Sequence, residues 1–231
     1  MSQLDEFSVD LFCDLDLKSL DQIDYREKST SLFCAVSGNI SEDLDIALAF
    51  LEHLGHCYRG VMFIDGALEH KNHHYKIVVD TFKNKVRDFN NVIYLHNHVI
   101  VIDGLAFVGA NCWYKNYEKY NIPYSPADLD LLKNQDINYL STTIHSLQKN
   151  EDIKRIILLT NSIPSSFLSF DRIDNSDIGP VVSLSGDLEN KVHAWLFGGH
   201  DKNIDDIYNG RRYVNNPNTC GSVYFPKRVS I

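Results

Sequence analysis

Five short polar segments carry the residue types that could do chemistry: Cys13-Asp14-Leu15-Asp16, Ser37-Gly38-Asn39, Asp65-Gly66-Ala67-Leu68-Glu69-His70, Thr160-Asn161-Ser162-Ile163-Pro164 and Gly198-Gly199-His200-Asp201-Lys202. Each follows an apolar run that reads as a strand and opens into a turn, and such strand ends carry active sites in α/β proteins. Carboxylate, carboxamide and imidazole groups are oxygen and nitrogen donors for divalent cations. Asp14 and Asp16 set two carboxylates, the donor type divalent cations favour, close together. Any one segment alone looks like a solvated turn. Their order, spacing and flanks together give them weight.

Other arrangements carry less. His96-Asn97-His98 spells the label of a nuclease motif, but it joins two β runs in an acidic chain and reads as a turn with exposed histidines. His70, His73 and His74 fall near a helix start without a third carboxylate donor, the pattern of a solvated face. No Gly-rich phosphate loop and no Gly-x-Ser-x-Gly elbow occurs, and neither Ser162 nor Ser165 has a visible base. Cys13 adjoins Asp14, whose charge disfavours the thiolate and leaves the sulfur inert. Lys76, Lys83, Lys85 and Arg87 interleave with apolar helix positions, so the continuous basic run of an RNA binder is missing.

The chain's 231 residues include 22 Lys and Arg against 31 Asp and Glu, a formal charge of −9. That sign argues against a broad basic face for nucleic acid or an anionic membrane. The first residues lack a basic stretch followed by an apolar core, so no signal peptide is expected, and no run is long enough to span a bilayer. Five scattered cysteines without Cys-x-x-Cys pairing suit buried thiols in a reducing cytoplasm.

The elements that must position these segments follow from periodicity. Leu44, Leu48, Leu51 and Leu54 form a helical stripe that Ser41 would cap and Gly55 would end. A second helix spans His74 to Arg87, and a third spans Asp136 to Lys149 on the stripe Ile137, Leu140, Ile144 and Leu147. Strands are expected at 61–64, 92–95, 99–102, 105–110, 156–160, 192–197 and 212–215, with a polar loop at 171–180. No repeat or linker interrupts the chain, which predicts one α/β domain over residues 1–231, built of two packed sheets flanked by helices.

In order, the five segments resemble the calcineurin-like metallophosphoesterase family. That family carries Asp-x-His after its first strand, Gly-Asp after the second and Gly-Asn-His-Glu after the third. A His in a segment followed by Pro and a Gly-His-x-His near the C-terminus complete the set. In the branch this chain resembles most, a Trp precedes the last motif, and a Gly-containing turn, a short strand and Asn-Pro follow it. Here those flanks are Trp195, Gly210, Arg212-Tyr213-Val214 and Asn216-Pro217. The central run from Gly104 to Trp113 is similar to that branch's strand leading to a Trp near the cleft. The resemblance covers nearly the whole chain and implies a four-layer α/β/β/α sandwich.

The resemblance also implies two adjacent divalent metals that activate water for attack on phosphorus. Carried over position by position, Asp14 keeps the first Asp, while the His two residues later is Asp16. The bridging Asp is Asn39, whose neutral amide cannot share a negative charge between two cations. Ala67 and Leu68 replace the metal-binding Asn and the His that assists the leaving group. Asn161 replaces a metal His, His200 is kept, and Lys202 stands for the last His. Of these eight positions only Asp14 and His200 are unchanged.

No catalytic group, resident metal or cofactor is therefore expected. Asp14, Asp16, Asn39, Asn161 and His200 remain as residual metal candidates, for Mn, Fe or Zn if hydrolysis survives. The charge logic favours Lys202 as an ion-pair partner of Asp14 or Asp16 in the vacated cation position. The expected function is that of an inactive or impaired phosphatase-like protein binding a protein or a phosphate-bearing small ligand. Its cleft would be framed by Trp113, Tyr114 and Trp195, on a scaffold that keeps Gly38, Gly66, Pro164 and Gly199. The alternatives are a divergent phosphoesterase with an unusual or single-metal centre, and a sensor in which His200 and Lys202 hold phosphate without cleaving it.

Overall fold

The strands read as unbroken apolar runs because both of their faces are buried. In β1 (Ser8–Phe12), Val9 and Leu11 turn into one core while Phe12 turns into another. The same alternation recurs in β3 (Gly60–Ile64), β7 (Arg155–Thr160) and β8 (Val192–Phe197). Continuous hydrophobic strands of this kind belong to parallel sheets covered on two sides. This computed structural model describes residues 7–19, 21, 28–113, 121–162, 191–208, 210–218 and 224–231. Tyr114, Ile163, Pro164, Ser165, the loop at 171–180 and Cys220 lie outside them.

The first sheet has the order β11-β1-β2-β3-β4, with β2 at Phe33–Ser37, β4 at Val92–Tyr94 and β11 at Lys227–Ser230. It is parallel except for β11. The second has the order β5-β6-β7-β8-β10-β9, adding β5 (His98–Ile102), β6 (Leu105–Ala110), β9 (Ile204–Tyr208) and β10 (Arg211–Asn215). Its outer strands β5 and β9 run antiparallel to their neighbours. Between the sheets lies a core of Leu11, Ala35, Met62, Ile64, Phe107, Leu159 and Leu196, among others.

Helices α1 (Leu44–Cys57) and α2 (Tyr75–Lys85) cover the outer face of the first sheet, bringing Leu51, Leu54, Val78 and Phe82 onto Phe12, Val36 and Phe63. Helix α3 (Pro126–Lys149) covers the second, with Leu140 and Ile144 over Ala106, Val108 and Leu158. Each such fully buried side chain contributes about 1.5–3 kcal/mol. The result is a four-layer α/β/β/α sandwich. No helix among the described residues is long and apolar enough to cross a membrane.

Several boundaries differ from the sequence expectation. Asp43, not Ser41, caps α1, accepting from the amides of Asp45 and Ile46. Ser41 instead ties two loops, donating to the Leu17 carbonyl. Helix α3 begins at Pro126 rather than Asp136, fixed by a capping box between Ser125 and Asp128. Its first turns are mostly exposed, so no apolar stripe announces them. The expected tail of α2 is a separate 3-10 turn at Val86–Asp88. Strands β9 and β11 sit at sheet edges, where a strand shows little of a buried strand's apolar pattern.

Candidate functional site

The ends of β1, β2, β3, β7 and β8 bring all five polar segments into contact. Ser37 and Gly38 end β2 with Gly38 at φ +78°, and a Cβ there would lie 2.6 Å from the Gly66 amide nitrogen. Only glycine allows the second and third turns to approach this closely. Asp14 and Asn39 also take left-handed backbone, at φ 50° and 55°, which Asp and Asn tolerate better than most residues.

Within this junction the polar groups are directed at one another. Asp14 Oδ1 accepts from Asn39 Nδ2 at 2.6 Å, and both its oxygens lie 3.0 Å from the Gly199 amide. Asn39 Oδ1 accepts from the Leu68 amide at 2.9 Å. Asn161, also buried, donates to the Ser37 carbonyl at 2.6 Å and accepts from the Ala67 amide at 3.3 Å. Burial pushes the Asp14 carboxyl up to about 6, against the opposing hydrogen bonds from Asn39 and the amides of Gly199 and His200.

Glu69 locks the floor of the junction. Its carboxylate is fully buried and accepts from the amides of Asn39, Ile40, Ser41 and Gly66. Burial raises its carboxyl to about 7 despite those donors.

The other expected site residues stand apart. Asp16 is exposed, and its ammonium partner is Lys18 at 2.6 Å, which corrects the expected pairing with Lys202. Asp14 is met by neutral amides instead. The exposed Lys202 turns its backbone amide to His200 Nδ1 at 3.1 Å, a local turn that Asn215 closes from the other side. Among the described residues, no three His, Cys, Asp or Glu side chains are grouped as metal donors.

Ala67 is the base of a small apolar cluster with Trp113, joined by Tyr75, Tyr124, Leu129 and Leu132. Trp113 thus packs beside a signature position, whereas Trp195 points to the α3 side of its sheet. There its indole donates to Thr160 Oγ1 and its ring stacks on Tyr213. Cys13, Cys34 and Cys112 are buried free thiols, and burial pushes each of them up.

Two histidines that read as surface residues in the sequence are buried. His70 is fully enclosed and His96 is 8% exposed, and both face Asp65. Their counterparts Tyr75, Tyr94, Tyr124 and Asp136 come from four separate segments, so sequence spacing gives no sign of the grouping. The only local signal is Asp65 itself, a carboxylate directly after a core strand.

No known family's sequence profile matches the chain. An uncharacterized protein of Acanthamoeba polyphaga mimivirus is 25% identical over 241 aligned positions, covering 85% of each chain. Among solved structures, the phosphopantetheinyl hydrolase from Mycobacterium tuberculosis superposes with a TM-score of 0.63 at 12% identity, over 97% of this chain and 96% of that one. The protein TT1561 of Thermus thermophilus gives a TM-score of 0.63 at 10% identity, over 92% and 90%. At such identities these likenesses establish the metallophosphoesterase-type fold.

Proposed function

We propose that this chain is a metallophosphoesterase-fold protein whose catalytic centre has been dismantled and that acts by binding a protein or a phosphate-bearing small ligand. The observation that carries this reading is the direct hydrogen bond between Asp14 and Asn39. In the family pattern these two positions share a cation, and here an amide proton takes that role. Asn161 supports the same reading, since its side chain is spent on the Ser37 carbonyl and the Ala67 amide.

The residues do not fit a binuclear centre. Ala67 and Leu68 offer no side-chain donor atom, Asp16 is turned to Lys18, and Asp14 and Glu69 are both satisfied by amides. Metal affinity rests on the number, charge and geometry of ligands, and the first two are reduced. What the junction can do is hold its loops rigidly and present His200, Asp201 and Lys202 at its rim.

The test is metal analysis of the purified protein together with phosphomonoester and phosphodiester assays in added Mn. Metal well below one equivalent and no turnover are expected, with nucleotide or protein binding that does not require metal. Turnover that requires Mn and is lost in Asp14→Ala would establish instead the divergent phosphoesterase with a single-metal centre.

A further inference from the structure

Each sheet ends in two edge strands, and an edge strand offers a row of backbone N–H and C=O groups to any strand that matches it. The edges of the first sheet are β11 and β4, and those of the second are β5 and β9. Protein edges are normally blunted by charged side chains, proline, bulges or shortness. Three of the four follow that rule. Strand β9 carries Asp205 and Asp206, β11 carries Lys227 and Arg228, and β4 is three residues long.

Strand β5 has none of these protections. It reads His98-Val99-Ile100-Val101-Ile102, without Asp, Glu, Lys, Arg or Pro. Its ladder to β6 runs from His98 opposite Gly109 to Ile102 opposite Leu105 with no bulge. Among the described strands it pairs only with β6, and outside that ladder no described backbone bond involves residues 99–102. Val101 is 52% exposed. The strand is nonetheless anchored, because Val99 packs on the core beneath α3 while Ile100 and Ile102 pack on the core between the sheets. An anchored, open and uncharged edge is a template for one more strand.

We propose that β5 is the interface of a two-fold dimer, in which it pairs antiparallel with β5 of a second copy and joins the two six-stranded sheets edge to edge. Such pairing imposes a strict condition. Directly opposed residues share a face of the sheet, so the residue on the two-fold axis must face its own copy. Centred on Ile100, the register sets Val99 against Val101 of the second copy and His98 against Ile102. Asp103, just beyond the strand, falls opposite Asn97. No like charges meet, and the Val99 to Val101 contacts are the β-branched cross-strand pairs that stabilise sheets.

Charge selects both the strand and the occupant. The same operation centred on β9 would set Asp206 against Asp206, and on β11 it would set Arg228 against Arg228. Like charges directly opposed are destabilising. The β5 edge also offers no charge by which a basic or acidic peptide would be chosen, and its own sequence matches it in length, shape and polarity.

Five strand residues span about 17 Å, a small interface, so the dimer should form with rising concentration. Sedimentation velocity of the whole chain from about 1 to about 200 µM covers the range in which small interfaces associate. The mass should rise towards twice 26.4 kDa and no further. Val101→Lys, which brings an ammonium against the apolar Val99, should stay at the single-chain mass throughout with unchanged far-UV circular dichroism, whereas Val101→Ile should still dimerise. A single-chain mass at every concentration, growth beyond two chains, a dimer that Val101→Lys leaves intact, or one that Val101→Ile abolishes overturns the proposal. Should Val101→Lys not fold, hydrogen exchange of the unsubstituted protein decides. Amide exchange within residues 98–102 should be slower at the high concentration than at the low, and slowing only elsewhere, or none, overturns the β5 interface.

Discussion

Asn39 Nδ2 lies 2.6 Å from Asp14 Oδ1, which makes a carboxamide an immediate partner of the carboxylate that follows β1. A cation shared by two side chains sits about 2.0–2.2 Å from each oxygen and holds them apart. A direct hydrogen bond closes that space. The charge balance follows the same course. The junction keeps two carboxylates, Asp14 and Glu69, and the donors that meet them are neutral amides.

Asn39→Asp tests this relationship by restoring the acidic residue of the family pattern without its metal. The substitution removes the donor to Asp14 and sets two carboxylates against each other in a buried place. A loss of about 2–4 kcal/mol is expected without metal, smaller in mild acid where the pair can share one proton. Thermal unfolding with and without Mn measures both effects. An unchanged Tm would show that the Asn39 amide is not bonded to Asp14.

Asp14 gives a pH dependence with a definite sign. Its carboxyl is raised from 3.8 to about 6 in the folded chain, so between these values the folded state binds more protons than the unfolded one. Stability contributed by this group is full below about pH 4 and lost as pH rises through about 6. Asp14→Asn, which keeps an acceptor for Asn39 and Gly199, should flatten this part of the Tm profile and leave Tm at pH 7 equal or higher. A steeper profile in the variant would contradict the burial that raises Asp14.

The fold was legible because β1, β3, β7 and β8 are apolar on both faces, and few architectures bury two faces of so many strands. The junction was legible as a set of positions, since Asp14, Asn39, Ala67 and Asn161 do converge there. How they pair was not legible. A lone lysine at position 202 looks like a counter-ion in sequence, but Lys18 lies two residues from Asp16 and takes that carboxylate locally. The Asp65 cluster escaped because its partners lie in four separate segments and are joined only by packing.

Ala67→Asn puts a polar side chain back into the apolar cluster with Trp113, Tyr75 and Tyr124. Ala67 is 2% exposed, and the neighbouring amides are already bonded to Asn161 and Asn39. The new carboxamide would be buried without partners, a cost of about 1–3 kcal/mol, together with overpacking against the indole. Denaturant unfolding measures the loss. A variant as stable as the original, and further stabilised by Mn, would show that the position still accepts a metal ligand.

Glu69 holds the turn after β3 in place. Four backbone amides, from Asn39, Ile40, Ser41 and Gly66, end on one carboxylate that no solvent reaches. Glu69→Ala leaves these donors buried and unpaired, and even partial loss at about 1–3 kcal/mol per group is enough to unfold a typical domain. Glu69→Gln keeps one acceptor oxygen but turns an NH2 group towards amides that also donate. Folding should survive at reduced stability, with the junction loosened and amide exchange at Asn39 and Gly66 accelerated. The titration has the same sign as that of Asp14, since burial raises this carboxyl from 4.5 to about 7. The unsubstituted protein should lose stability across that interval as pH rises, and Glu69→Gln should not. Hydrogen exchange at pH 5 and pH 8 reads both effects, and equal protection of Gly66 in the two proteins would show that the carboxylate is not what holds the turns together.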